Sequence, residues 1–370
     1  MGNWQWLETY THRWPMLARV VIKAVGLFIL ANIVYALIGT PPTFGIYNGL
    51  VPGRERLPYG EDPAAYNLSL NNLPAMFNSH VIVTDKADDE FRVVVMGDSG
   101  VWGILLEPHQ TLTGQLNQQA IVYEGLQVRA YNLGHPILSV TKDLMLLELA
   151  LDYEPDMVIW LITLESLALN TQLEPPLVQQ NAARVRELIN RYDLPLDAAT
   201  LPNEPSFMER TIIGQRRPLA DWLRLQLYGV SWVTTGIDQV YPDYIPRSND
   251  FDDDLTWQNY TEPTTLTRDD LAFDVLAAGQ QMVGDVPLVI VNEPIFIADG
   301  ENSDLRYNFW YPRWAYDAYR DLFVQEADAQ GWQFVDLWDV IPMAEFTDSP
   351  VHLFSTGETR CGLDPGSSTR

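Results

Sequence analysis

The chain has 370 residues, 47% of them apolar and 11% aromatic, which suits one large core or two smaller ones and excludes a disordered protein. Its formal charge of −26 argues against a nucleic-acid partner, because binders of polyanions concentrate Lys and Arg to displace counterions. The single cysteine, Cys361, rules out an internal disulfide framework and a multi-cysteine zinc site.

In chain order, residues 14–39 come first as a membrane-span candidate. The run from Ala24 is uncharged, and Arg19 and Lys23 can snorkel to extend it toward the roughly 20 residues a bilayer needs. Arg13, Arg19 and Lys23 lie on its N-terminal side, so the positive-inside rule makes residues 1–13 a cytoplasmic tail. The rest of the chain is then extracytoplasmic, held to the cell membrane by a single pass. A cleaved signal peptide is the rival, but no clear Ala-x-Ala site follows the apolar run.

Residues 40–88, rich in Pro, Gly, Asn and Tyr, read as a juxtamembrane connector with a short helix near its end. From residue 91 the pattern changes. Apolar runs at 92–96, 128–132, 157–162, 288–292 and 332–337 suit strands, and helical periodicity at 143–151 and 314–329 fits between them. This alternation predicts an α/β domain over residues 89–370, with a parallel sheet covered by helices.

The interval 171–286 exceeds what one crossover needs and predicts an insertion with helices near 177–192 and 218–233. In the second helix, Leu219, Trp222, Leu223, Leu227 and Tyr228 fall at helical spacing. Packing on the main domain is the simpler use of that stripe, and contact with lipid or an acyl chain is the other. The stretch 241–265 is acidic and aromatic, but Asp250, Asp252, Asp253 and Asp254 lack the glycine and terminal glutamate of a calcium loop. A solvated loop is expected there, with no metal site.

The first strand delivers Gly97-Asp98-Ser99-Gly100 to a strand-to-helix turn, which makes Ser99 the candidate nucleophile. A serine attacks carbonyls only when a base takes its proton. Of five histidines, His12 precedes the span, His80 precedes the sheet and His109 sits in a polar stretch. His135 reads as a surface residue or a cleft lining, with the surface favoured. His352 follows the last strand, in a loop that can fold back over the carboxyl edge where open α/β sheets bind ligands. Asn292 ends a strand at that edge and is a substrate-contact candidate, while Asp336 and Asp339 suit positioning of the last loop.

Together these residues resemble the SGNH or GDSL hydrolases, over about residues 91–357 with the insertion unmatched. The resemblance implies a flavodoxin-like, three-layer α/β domain that cleaves or transfers ester-linked acyl groups. Gly97-Asp98-Ser99 matches the family's first block. Asn132-Leu133-Gly134 looks like the block whose glycine N–H joins that of the serine in the oxyanion hole. Asp348 and His352 look like the acid and base of the last block.

Two positions depart from the family pattern. Where its third block carries an asparagine that donates to the oxyanion, this chain has Glu165. An ionised carboxylate would repel a developing oxyanion, so either Glu165 is protonated, or it points away, or Asn170 or Asn292 substitutes as donor. Asp348 also stands one position farther from His352 than is usual, leaving a Ser-His dyad as an alternative to a triad. Gly-Asp-Ser-Gly occurs in chymotrypsin-like proteases as well, but there the serine comes last in chain order on a β-barrel.

The resemblance thus implies a membrane-anchored serine hydrolase that cleaves acyl esters, acetyl groups on a cell-surface carbohydrate among them, with no cofactor. An O-acyltransferase to envelope polysaccharide would use the same Ser-His pair. A non-catalytic carbohydrate-binding or scaffold protein is the alternative outside enzymes. After Gly357 the sequence shows no apolar period, so the helix that completes such domains is not expected, and the sheet flank beside His352 should be open.

Overall fold

The computed structural model describes residues 14–39, 44–241 and 248–355. The expected cytoplasmic tail and the stretch after Gly357 lie outside the described residues. Six strands form one sheet: β1 Glu90–Met96, β2 Val122–Tyr123, β3 Leu126–Asn132, β4 Met157–Ile162, β5 Leu288–Asn292 and β6 Gln333–Asp336. Their order is β2-β3-β1-β4-β5-β6, with β2 antiparallel to β3 and every other pairing parallel. Counted in chain order, the parallel strands run 2-1-3-4-5, the doubly wound order in which ligands bind where the winding reverses. That switch point lies between β1 and β4.

The principal helices, in chain order, are α1 Trp14–Ile38, α2 Leu73–Ser79, α3 Ser99–Trp102, α4 Leu112–Gln118, α5 Val140–Ala150, α6 Leu164–Leu167, α7 Ala182–Tyr192, α8 Arg216–Thr235, α9 Phe273–Val283 and α10 Arg313–Gln330, with short helices at Pro176–Gln180 and Phe207–Arg210 besides. One face of the sheet, including Val94, Met96, Trp160, Ile162 and Ile290, packs with α5, α9 and α10 into the main core. The opposite face carries Val93, Val95, Leu161 and Val291 under Leu112 and Leu116 of α4. Phe91, Met157, Ile159, Val289 and Val335 on that face are only partly buried.

Two expectations need correction. The 40–88 stretch is not a connector in its described part: Leu57, Leu68, Leu70, Leu73, Met76 and Phe77 all join the main core. Burial of those side chains, not composition, decides that this segment folds with the sheet; its short helix is α2, capped by Asn72, whose Oδ1 accepts from Ala75 N. The insertion is also shorter than 171–286, because α9 carries the chain back to β5 and buries Phe273, Val275 and Leu276 against the sheet. The expected 177–192 helix is broken at Asn181, which precedes α7.

Within α1, Met16–Ile38 has a mean hydropathy of 2.3 and is long and apolar enough to cross a membrane. Most of its side chains are exposed, but Asn32 and Ala36 are buried, and Asn32 Oδ1 accepts a hydrogen bond from Ile213 N at 3.2 Å.

Candidate active site

The nucleophile turn is built by three adjacent constraints. Gly97 adopts φ 154°, and a Cβ there would lie 2.8 Å from Leu161 O, so only glycine lets the chain leave β1 this close to β4. Asp98 caps α3, its Oδ1 accepting from Gly100 N at 2.7 Å. Ser99 is then the first residue of α3, with its hydroxyl at the carboxyl edge of the sheet.

The last loop brings His352 to it. His352 Nε2 lies 2.8 Å from Ser99 Oγ, and His352 Nδ1 lies 2.8 Å from Asp348 Oδ1. The longer Asp-His spacing is absorbed by a tight hairpin: Thr347 N donates to His352 O at 2.8 Å, and Phe346 and Leu353 form an antiparallel bridge. The hairpin is fixed to the segment after β5 by Phe296 N donating to Pro350 O and by a Phe296–Phe346 edge contact. Thr347 Oγ1 lies 3.1 Å from Asp348 Oδ1 and 3.1 Å from His352 O. The imidazole beside it holds the Asp348 carboxyl below its ordinary range, so Asp348 is ionised at neutral pH.

Behind the turn, Lys142 of α5 is fully buried. Its Nζ donates to Gly97 O at 2.8 Å and His135 O at 2.7 Å, tying the nucleophile turn to the loop after β3. Its neighbour Asp143 lies 2.8 Å away and accepts from Trp160 Nε1, while burial pushes its carboxyl up to about 6. Arg56 supports α3 from the other end, donating to Gly103 O and Leu106 O at 2.9 Å each and pairing with buried Asp238.

Glu165 is engaged by the inserted segment. It accepts from Trp257 Nε1 at 3.1 Å and from Gln258 Nε2, so both of its oxygens hold the inserted segment against the end of β4. Burial raises its pKa, and the two donors pull it partly back. It also lines a cavity of about 420 Å³ with Leu138, Trp257, Arg306 and Trp310.

Gly134 packs directly on α3: a Cβ would meet Trp102 N at 2.5 Å and Val101 C at 2.8 Å. Its N–H donates to Asn132 Oδ1 at 3.0 Å, and Asn132 Nδ2 donates to Val101 O.

The two amides offered as alternatives to the missing asparagine go elsewhere. Asn292 is not a substrate contact: it is fully buried, donates to Asp336 Oδ1 at 2.8 Å and accepts from Tyr316 and Tyr319. Asn170 is exposed, donates to Gln258 Oε1 at 3.2 Å and lines a second cavity of about 430 Å³ that Trp257 and Gln258 also line. Asp336 bonds Asn292 of β5 and Arg320 of α10, so the last loop is not what these bonds hold.

His135 is also corrected. It is buried under Tyr59, not at the surface, and burial with the nearby Lys142 ammonium pulls it down to about 3. His80 is buried too, lowered to about 4, with its ring bonded to Glu55 O and Ile82 N. Burial keeps both rings neutral at neutral pH. Among the described residues no His, Cys, Asp or Glu cluster could hold a metal ion.

No family model and no curated protein matches this chain. Among solved structures, one described as an arylesterase of Agrobacterium tumefaciens aligns at 14% identity over 73% of this chain and 94% of its own, with a TM-score of 0.32. Est24, a carbohydrate acetylesterase from Sinorhizobium meliloti, aligns at 12% identity over 73% and 94%, with a TM-score of 0.30. Likeness at that level carries no weight for function.

Proposed function

We propose that this protein is a serine hydrolase of the SGNH type that cleaves acyl esters outside the cytoplasm while anchored by α1. The observation that carries this reading is the unbroken relay from Ser99 Oγ to His352 to Asp348, with 2.8 Å at each step. Ser99 Oγ attacks the ester carbonyl as His352 Nε2 takes its proton. Asp348 holds the imidazole tautomer and balances the charge that forms on it. His352 then passes the proton to the departing alkoxide, leaving an acyl-serine. A water that loses its proton to His352 attacks the acyl carbonyl, and as the acyl–Oγ bond breaks His352 returns the proton to Ser99 Oγ, which frees the acid and restores the enzyme.

The oxyanion is held by the N–H of Ser99 at the start of α3 and by that of Gly134, which must exchange its bond to Asn132 for the substrate oxygen. Glu165 plays no part in that hole, because its oxygens are engaged by Trp257 and Gln258. A carbohydrate as the acyl carrier is supported by the two cavities flanking Trp257, which present Trp310 and Tyr260 beside the amides of Gln258 and Asn170. Flat aromatic faces suit sugar C–H surfaces, and amides suit hydroxyls.

The test is turnover of a short-chain aryl acetate by the detergent-solubilised chain. Hydrolysis that disappears in Ser99→Ala supports the proposal. Equal, negligible turnover in both proteins sinks it and favours a scaffold role.

A further inference from the structure

The surface beside α1 presents a feature that ester hydrolysis does not use. On α8, Trp222, Leu225 and Gly229 face inward, and Tyr47 OH donates to Leu225 O at 2.8 Å. Ile46 N donates to Gln226 Oε1, so α8 is clamped to the segment that follows α1. The outward stripe is also apolar: Leu223 is 49% exposed, Leu227 71% and Val230 58%. These fall at i, i+4 and i+7, one face of a helix, and exposed Ile237 continues beyond its end. A second exposed group, Phe207, Met208 and Ile213, sits where the inserted segment touches α1, since Ile213 N bonds Asn32 Oδ1.

Charge separates this surface from the rest of the protein. In a chain of net charge −26, Arg210, Arg216 and Arg217 are exposed here and Arg224 is partly so, against Glu209 and Asp221. An apolar helix stripe with arginines along its border has the composition of a helix lying in a bilayer interface. Depth agrees as well. Asn32 stands six residues before the end of the Met16–Ile38 span, about 9 Å of helix rise, so its contact with Ile213 sits at the depth to which an interfacial helix sinks its apolar face.

We propose that the α8 stripe and residues 207–213 lie in the outer interfacial layer of the membrane that α1 crosses, with the arginines at anionic headgroups. This rests on the reading of α1 as an anchor. The protein is then seated on the bilayer by two elements and does not swing on one. The seat reaches the nucleophile helix: after α8, Asp238 pairs with Arg56, which holds the carbonyls of Gly103 and Leu106, and Gln239 bonds the same two carbonyls. The orientation of Ser99 toward a surface polymer follows from where α8 lies.

The experiment uses the full chain with Cys361→Ser, carrying one new cysteine at a time: Leu227→Cys, Val230→Cys, Leu27→Cys in α1, and Val122→Cys on the exposed edge strand. Each is labelled with an environment-sensitive fluorophore and placed in nanodiscs of phosphatidylcholine and phosphatidylglycerol containing a nitroxide-bearing phosphatidylcholine. The expected result is lipid quenching at positions 227, 230 and 27 and none at 122. Quenching at 227 should weaken when Arg216→Gln and Arg217→Gln are added. Quenching at 27 with positions 227 and 230 as unquenched as 122 overturns the seating and leaves the anchor intact. No quenching at 27 overturns the anchor, and this proposal with it.

Discussion

His352 Nε2 meets Ser99 Oγ at 2.8 Å although 253 residues separate them, because the loop after β6 folds back over the carboxyl ends of β1 and β5. That contact makes the serine's proton transferable. His352→Ala should therefore cut esterase kcat by at least about a thousandfold, with little change in KM. The check is initial rate against aryl acetate concentration for both proteins.

Thr347 acts through its neighbours. Its Oγ1 lies within 3.1 Å of Asp348 Oδ1 and of His352 O, so Thr347→Val removes a donor to the charged acid without touching substrate. A hydrogen bond to a charged group sets the scale, and a loss of about tenfold in kcat with KM unchanged is expected. Thr347→Ser, which keeps the hydroxyl, should recover most of the rate.

Glu165 is the position where chain and family pattern disagree. With Trp257 Nε1 and Gln258 Nε2 as its partners, both of its oxygens are engaged by the inserted segment. Glu165→Gln should leave kcat nearly unchanged and lower stability modestly. A large rise in kcat would place the carboxylate against the oxyanion and contradict the geometry.

Arg56 and Asp238 form a buried pair, with 2% and 9% of their side chains exposed, and the guanidinium also lies over the Trp102 ring at 4.3 Å. Removing one member leaves the other charged and unpaired, which typically costs about 3–5 kcal/mol. Arg56→Met should lower unfolding free energy by that order in denaturant titration. A loss no larger than that of a surface Arg substitution would contradict it.

Acid should destabilise the fold through two histidines. Unfolded, each titrates near 6.5; folded, His80 is lowered to about 4 and His135 to about 3. Below pH about 6.5 the unfolded chain takes up protons that the folded chain refuses, so stability falls as pH drops. From pH 7 to 5 each contributes a loss of about 2 kcal/mol. Asp143, raised to about 6, opposes them by about 1 kcal/mol because there the folded state gains the proton. The net loss should appear as a lower urea midpoint at pH 5, and should shrink in His135→Gln.

The sheet was legible where strands are short apolar runs closed by turn residues: β4 and β5 match the expected spans to the residue. The edge hairpin was not expected, because β2 is two exposed residues joined through Glu124 and Gly125, both at positive φ. Residues 44–88 misled because proline- and asparagine-rich composition masks leucines that pack without helical or strand period. Ser99 and His352 could be singled out because their types and places in the chain carry chemistry, and Asp348 through its resemblance to the family's last block; the structure brings the three within hydrogen-bond reach. The fates of Glu165 and Asn292 could not, since their partners lie far along the chain: Trp257 and Gln258 for one, Tyr316, Tyr319 and Asp336 for the other. His135 misled for the same reason, its cover being Tyr59 from the presumed connector.

The most direct measurement is covalent capture of the nucleophile by a fluorophosphonate, located by mass spectrometry of the digested protein. A single adduct on Ser99, absent in Ser99→Ala and slowed at least about a hundredfold in His352→Ala, is the result that the relay requires. Intact protein that takes up no label, or labels at the same rate without His352, would contradict it.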